Sequence, residues 1–316
     1  MTHKEIDFFI VGYPRSGTTL AASLLSRNPD IYISPETHFY RNFVVNNKNN
    51  LNKDSLINAF IDDKRLSDIG INKELLENFT PKKHKLSWLL NESLSLKAEE
   101  MNKNIIGEKT PAHMMFYTQI LKDYPEAKFI VIIRDGRDCV FSNIKEEWTF
   151  SNPIKHAAEW NLYMDTYNKL IEEIPENVYT VRYEDLIENP SKYVKVMTEF
   201  VGGNYISKQI EDDTSKSVIP EWEKNWKEKA SKAPDKTNKY RWKLHKDKQL
   251  ISHLTHIMQD YLKCHEYDIT PIRGFSRLHN FNLYIRNIIY TSKIYPIMKF
   301  LAASSIYKRL KSFQTK

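Results

Sequence analysis

The sequence predicts an α/β fold, a three-layer sandwich in which helices cover both faces of a central parallel sheet. Two observations carry this expectation. Short apolar runs at 6–11, 31–33, 104–106, 128–133 and 178–181 alternate with segments of helical period, the pattern of parallel strands joined by crossover helices. Glycine-bearing and charged motifs stand at the ends of these runs, where parallel sheets bind their ligands.

Taken in order, residues 6–11 are almost continuously apolar and read as a buried strand. A Gly/Pro turn and a helix over about 18–26 follow. Asn28, Pro29 and Asp30 form a turn before the short strand at 31–33. Residues 45–103 are rich in Asn, Lys and Leu and read as a helical excursion, with Leu86, Leu89, Leu90, Ser93 and Leu94 at helical spacing. The run 104–106 leads into Gly107-Glu108-Lys109-Thr110-Pro111. The clearest strand, 128–133, ends at Arg134-Asp135-Gly136, where a helix begins. A long helix over about 154–174 precedes the strand at 178–181. Residues 212–241 hold few apolar side chains and contain Pro220 and Pro234, so they form a candidate lid or a solvated loop. The expected organisation is one body over 1–271 and a tail over 272–316.

Composition narrows the class. A chain of 316 residues, 41% hydrophobic with 18 Tyr and 15 Phe but only 8 Gly, buries a substantial core. Two cysteines make a disulfide framework improbable and point to a reducing, cytoplasmic setting. The run 6–11 is too short for a signal-peptide core, and no stretch of about 18 uncharged apolar residues reads as a spanning helix. The net charge of +7 is uneven: residues 272–316 hold nine Lys/Arg and no Asp or Glu, which leaves the body at −2. A nucleic-acid binder would carry its basic footprint on the folded domain, so no nucleic-acid partner is expected. In the tail, Phe281, Tyr284, Ile285, Ile288, Ile289 and Tyr295 share one helical face. Such a face suits either packing on the body or peripheral contact with an anionic membrane.

The first motif is Gly12-Tyr13-Pro14-Arg15-Ser16-Gly17-Thr18-Thr19. Its G-x-x-x-x-G spacing between strand and helix lets backbone N–H groups converge on an anion at a helix N-terminus. Thr18 stands where a nucleotide triphosphatase carries the lysine for the β- and γ-phosphates. That replacement argues against a γ-phosphate donor and so against a P-loop small-molecule kinase, the first alternative. Arg15 supplies a cation inside the loop.

With the segment Val131-Ile132-Ile133-Arg134-Asp135-Gly136-Arg137-Asp138-Cys139-Val140-Phe141-Ser142, this loop resembles the sulfotransferases that use 3′-phosphoadenosine 5′-phosphosulfate, nearest to the tyrosylprotein and bacterial or carbohydrate branches. The resemblance implies a P-loop-like fold. It assigns Pro14, Arg15, Ser16, Gly17, Thr18 and Thr19 to the 5′-phosphosulfate, and Arg134 and Ser142 to the 3′-phosphate. Asp135 caps the helix, and Ser142 lies seven residues on, near the same face. Arg182-Tyr183-Glu184-Asp185-Leu186 resembles the element whose tyrosine lies near the adenine, and reads equally as a strand end running into a turn. Lys239, Arg241, Trp242 and Lys243 resemble the late basic segment that closes over the nucleotide, without the family's glycines.

The implied reaction moves a sulfo group onto a hydroxyl by in-line displacement through a loose transition state. Cations aimed at the leaving oxygen supply much of the catalysis, with Arg15 and Lys109 as candidates and no metal. The acceptor proton needs a base within hydrogen-bond reach. Glu36, 21 residues after Arg15, resembles the base of the tyrosylprotein branch. Pro111 occupies the position of the cytosolic branch's histidine, so His113 ranks second and His38 third. The expected acceptor is a glycan, lipid-linked or small-molecule alcohol, ahead of protein tyrosine. A catalytically silent nucleotide-binding module is the second alternative, against which stand Arg15, Glu36 and Lys109 together.

Overall fold

A computed structural model describes residues 4–45, 53–71, 73–77, 86–146, 149, 151–211 and 235–269. Most of the candidate lid, 212–234, and the tail over 272–316 lie outside the described residues. Five strands, β1 (Phe8–Gly12), β2 (Ile31–Ile33), β3 (Ile105–Lys109), β4 (Lys128–Ile133) and β5 (Val178–Arg182), form one sheet in the order β2-β3-β1-β4-β5. Every pairing is parallel. All five carboxyl ends therefore lie along one edge.

The helices among the described residues are α1 (Thr18–Ser26), α2 (Lys53–Ile61), α3 (Lys64–Ser67), α4 (Lys73–Glu77), α5 (Ser87–Glu100), α6 (Tyr117–Asp123), α7 (Gly136–Asn143), α8 (Pro153–Glu173), α9 (Tyr183–Glu188), α10 (Pro190–Phe200), α11 (Lys208–Glu211) and α12 (Lys248–Cys264). Strand alternation divides the core. Phe8, Ile10, Ile130 and Ile132 face a cluster built with Leu20, Leu24, Val194 and Met197 from α1 and α10. On the opposite face, the Phe9 ring stacks on Phe129 at 5.8 Å and meets Tyr124 at 5.8 Å.

The expected boundary at 271 lies outside the described residues, which divide into two compact units. Among the described residues one unit lies within 4–134 and 166–239, and the other within 135–165 and 240–269. The sheet belongs wholly to the first. In the second, Asp135 caps α7 by accepting from the Arg137 N–H, and Gly136 leaves room for Met258 and Trp160.

One strand runs longer than the sequence reading, and one boundary that it left open is fixed, each for a physical reason. Strand β3 runs on through Gly107-Glu108-Lys109 because those residues pair with Phe8, Phe9 and Ile10. The helical excursion, whose individual boundaries the sequence left undefined, has one of them at Asp63, which accepts from the N–H groups of Arg65 and Leu66 and starts a new short helix. Its second half behaves as read, with Leu86, Leu89, Leu90, Ser93 and Leu94 all buried.

A side chain at Gly107 would meet the buried Phe8 ring at 2.3 Å. Gly107→Ala is expected to destabilise the fold by about 1–3 kcal/mol. The check is a lowered urea midpoint at unchanged slope.

Candidate active site

The loop between β1 and α1 turns through left-handed backbone at Arg15 (φ 70°) and Gly17 (φ 104°). That alternation curves a chain so that its N–H groups line a concavity suited to an anion. Gly17 is required twice over, because its Cβ would also strike the Tyr183 ring at 2.3 Å. Helix α1 opens with no acidic residue in its first turn and no side-chain cap, so its positive end is left for something else. Ser16 is buried, and its Oγ has no hydrogen-bond partner among the described residues. An orphaned buried hydroxyl is costly, and a phosphate or sulfate oxygen would satisfy it.

Arg134, just beyond β4, lies against this loop. Its guanidinium donates to the Arg15 carbonyl at 3.3 Å and the Asn238 carbonyl at 2.6 Å, and stands 4.3 Å over the Tyr183 ring. Tyr183 is thus held between Gly17 and Arg134. Lys239 is paired with the Glu188 carboxylate, whose pKa lies below its ordinary value chiefly through the Lys239 and Lys236 hydrogen bonds.

The second cluster forms where β2 and β3 end. Lys109 Nζ, 2% exposed, donates to Glu36 Oε1 at 2.8 Å, with Glu36 11% exposed. The other oxygen, Oε2, stands 3.3 Å from His38 Nε2 and 3.9 Å from an Arg65 nitrogen. Burial holds the His38 imidazole below its ordinary 6.5, against the raising effect of Glu36, so His38 is neutral near pH 7. A carboxylate with one oxygen on a lysine and the other beside a neutral imidazole is an oriented proton acceptor.

Behind it lies a carboxylate that sequence reading passed over. Glu108 is fully buried. Its Oε1 accepts from the Thr110 hydroxyl at 2.6 Å and the Thr37 hydroxyl at 2.8 Å, and Oε2 meets His113 Nδ1 at 2.8 Å. Burial pushes this carboxyl up, but His113 and the two threonine hydroxyls together hold it below its ordinary 4.5. The only sequence signal was its place beside Lys109 on a strand.

The remaining expected residues belong to the second unit. Ser142 is half-buried on α7 and Arg241 is exposed. Trp242 is buried, donating from Nε1 to Asp135 Oδ2 at 2.9 Å and from its backbone N–H to Asp138 at 2.8 Å, with its ring 3.6 Å from the Arg137 guanidinium. Lys243 pairs with Asp268 at 3.0 Å. The first unit thus brings together the phosphate loop, Arg134 and Tyr183, and likewise Lys109 with Glu36 and His38. His113 lies in the interior behind the second cluster, its Nδ1 on Glu108. Among the described residues no three His, Cys, Asp or Glu side chains are grouped to hold a metal ion, and no helix is long and apolar enough to cross a membrane.

Comparison with known proteins agrees with this geometry. Residues 7–206 match the model of the Sulfotransferase family. Over 198 residues the chain is 27% identical to protein-tyrosine sulfotransferase 1 of Danio rerio, covering 61% of this chain and 52% of that protein. It is 25% identical over 201 residues to the protein-tyrosine sulfotransferase of Drosophila melanogaster, covering 61% of this chain and 37% of that one. The chain thus spans about half or less of these relatives' length. In fold it is similar to the sulfotransferase domain of the Synechococcus PCC 7002 olefin synthase, with a TM-score of 0.62 and 17% identity over 85% of this chain and 98% of that one.

Because the Glu108 carboxyl is depressed in the folded protein, its contribution to stability is full above the unfolded value near 4.5. It is lost as the pH falls through the folded value. Glu108→Gln is expected to flatten the acid limb of thermal stability as the pH falls below the unfolded value near 4.5, read from melting midpoints against wild type.

Proposed function

Because the chain belongs to the sulfotransferase family, we propose that it moves a sulfo group from 3′-phosphoadenosine 5′-phosphosulfate to an acceptor hydroxyl, with Glu36 as the general base. The observation that carries this reading is the Lys109–Glu36 pair at 2.8 Å, on the same sheet edge as the phosphate loop.

The donor supplies an electrophilic sulfo group and a phosphate leaving group. Its 5′ end suits the loop because Ser16 Oγ is orphaned and α1 begins without an acidic residue or cap. Loop N–H groups and Arg15 hold the anionic end, and Lys109 stabilises charge at the leaving oxygen. Glu36 takes the acceptor's proton at Oε2, the oxygen not bonded to Lys109. The acceptor oxygen bonds to sulfur as the sulfur–oxygen bond to the donor phosphate breaks. Arg134, beside the loop, is the proposed contact for the 3′-phosphate. Ser142, Arg241 and Lys243 are proposed as donor contacts on the resemblance alone.

Two features support Glu36 over the other bases. His113 is fully buried with Nδ1 committed to Glu108, and neutral His38 is placed to orient the Glu36 carboxylate. A carboxylate paired with lysine is a weak base, so it matches a phenol, with a pKa near 10, better than an aliphatic alcohol. The naming of the relatives for protein tyrosine agrees. A tyrosine-like phenol is therefore the proposed acceptor, ahead of the glycan and alcohol classes expected from sequence.

Transfer of labelled sulfate to a tyrosine peptide, a simple phenol and an aliphatic alcohol tests the reading. Glu36→Gln is expected to lower kcat by about 10²–10⁴-fold and Lys109→Ala by about 10²–10³-fold, with donor affinity retained in Glu36→Gln. Full turnover in Glu36→Gln would remove it as the base.

A further inference from the structure

Glu108 and Lys109 are neighbours on β3, so their side chains leave opposite faces of the sheet. Lys109 shares its face with Ile10, and Glu108 shares the other with Phe9. The proposed chemistry uses only the first. The second carries a hydrogen-bond system that returns to the same place from behind.

The Thr110 hydroxyl donates to Glu108 Oε1 at 2.6 Å, which leaves its oxygen to accept two backbone N–H groups, Thr37 at 3.0 Å and His38 at 3.3 Å. The Thr37 hydroxyl likewise donates to Glu108 Oε1 at 2.8 Å and accepts the Phe39 N–H at 3.3 Å. Three consecutive amides after Glu36 are therefore fixed through two hydroxyls on one carboxylate oxygen. The other oxygen is braced by His113 Nδ1 at 2.8 Å, and the His113 N–H donates to the Thr110 carbonyl at 2.9 Å. This segment also holds a strained backbone, with His38 at φ 48°, which persists only where surroundings determine it.

We propose that Glu108 and Thr110 are positioning residues: they fix the 36–39 segment so that Glu36 meets Lys109 and presents Oε2 to the acceptor. The inference rests on the sulfotransferase reading of this site. A charged acceptor of two hydroxyls is stronger than a neutral one, and both hydroxyl protons are spent on it. Each hydroxyl oxygen is thereby committed to accepting, which sets the direction of every bond in the chain. Loss of the Thr110 hydroxyl removes the acceptor of the His38 amide and leaves the Thr37 amide only a 3.5 Å contact with Glu108 Oε1, while Lys109, Glu36 and the phosphate loop stay chemically intact.

The test compares Thr110→Val with Thr110→Ser in the full chain. Thr110→Val is expected to lower kcat by about 10–100-fold, the cost of a small misplacement of a reacting group, with the donor dissociation constant unchanged. Thr110→Ser, which keeps the hydroxyl, restores most of the turnover. Hydrogen exchange reads the link independently of activity: the His38 amide loses protection in Thr110→Val and keeps it in Thr110→Ser. Should Thr110→Val not fold, Thr37→Val with Thr37→Ser asks the same question of the Phe39 amide. Equal turnover in the Val and Ser variants, or unchanged amide protection, overturns the inference while wild-type transfer leaves the sulfotransferase reading standing. An inert wild type sinks both.

Discussion

The parallel pairing of β3 with β1 is the constraint on which the rest depends. Phe8 stands opposite Gly107 and Ile10 opposite Lys109, and the register holds because position 107 has no side chain to meet the Phe8 ring. A slip of one residue would exchange the faces of every side chain on β3. Glu108 would then turn towards Glu36, and Lys109 would enter the aromatic interior beside Phe9. The carboxylate scaffold and the lysine pair are two consequences of one register.

The charges at the sheet edge are arranged around that register. Lys109 is buried and depends on Glu36 to offset the loss of water, since a buried charge without its partner costs several kcal/mol. Glu108 keeps its ionised form in the interior because three donors converge on it. Arg134 donates to two backbone carbonyls and stands over the Tyr183 ring, contacts that position its guanidinium beside the loop. The phosphate loop meets this cationic setting with an orphaned Ser16 hydroxyl and an uncapped helix start. An anion with a sulfate or phosphate end answers all of these features.

Much of this was legible in the sequence. The strands β2 and β4 and the helix α1 fall on the residues that periodicity marks, because continuous apolar runs between turn residues leave few other structures. The phosphate loop and Lys109 were marked as candidates by their strand-end positions, and Glu36 by its resemblance to the base of the tyrosylprotein branch. Glu108 was not, since a glutamate is ordinarily exposed and its partners arrive from separate points of the chain. His113 looked available in sequence yet is buried on Glu108. Lys239 pairs with Glu188, and Trp242 packs against Asp135, Asp138 and Arg137, partners that their place in a basic segment did not foretell. Composition marks none of these pairings, which exist only once distant segments meet.

Calorimetric titration with 3′-phosphoadenosine 5′-phosphate, beside AMP and magnesium-ATP, tests the central claim most directly. Tight binding that needs the 3′-phosphate and is indifferent to magnesium is the predicted result. Equal affinity for AMP, or binding that requires magnesium, would contradict the donor assignment and with it the sulfo-transfer reading of the site.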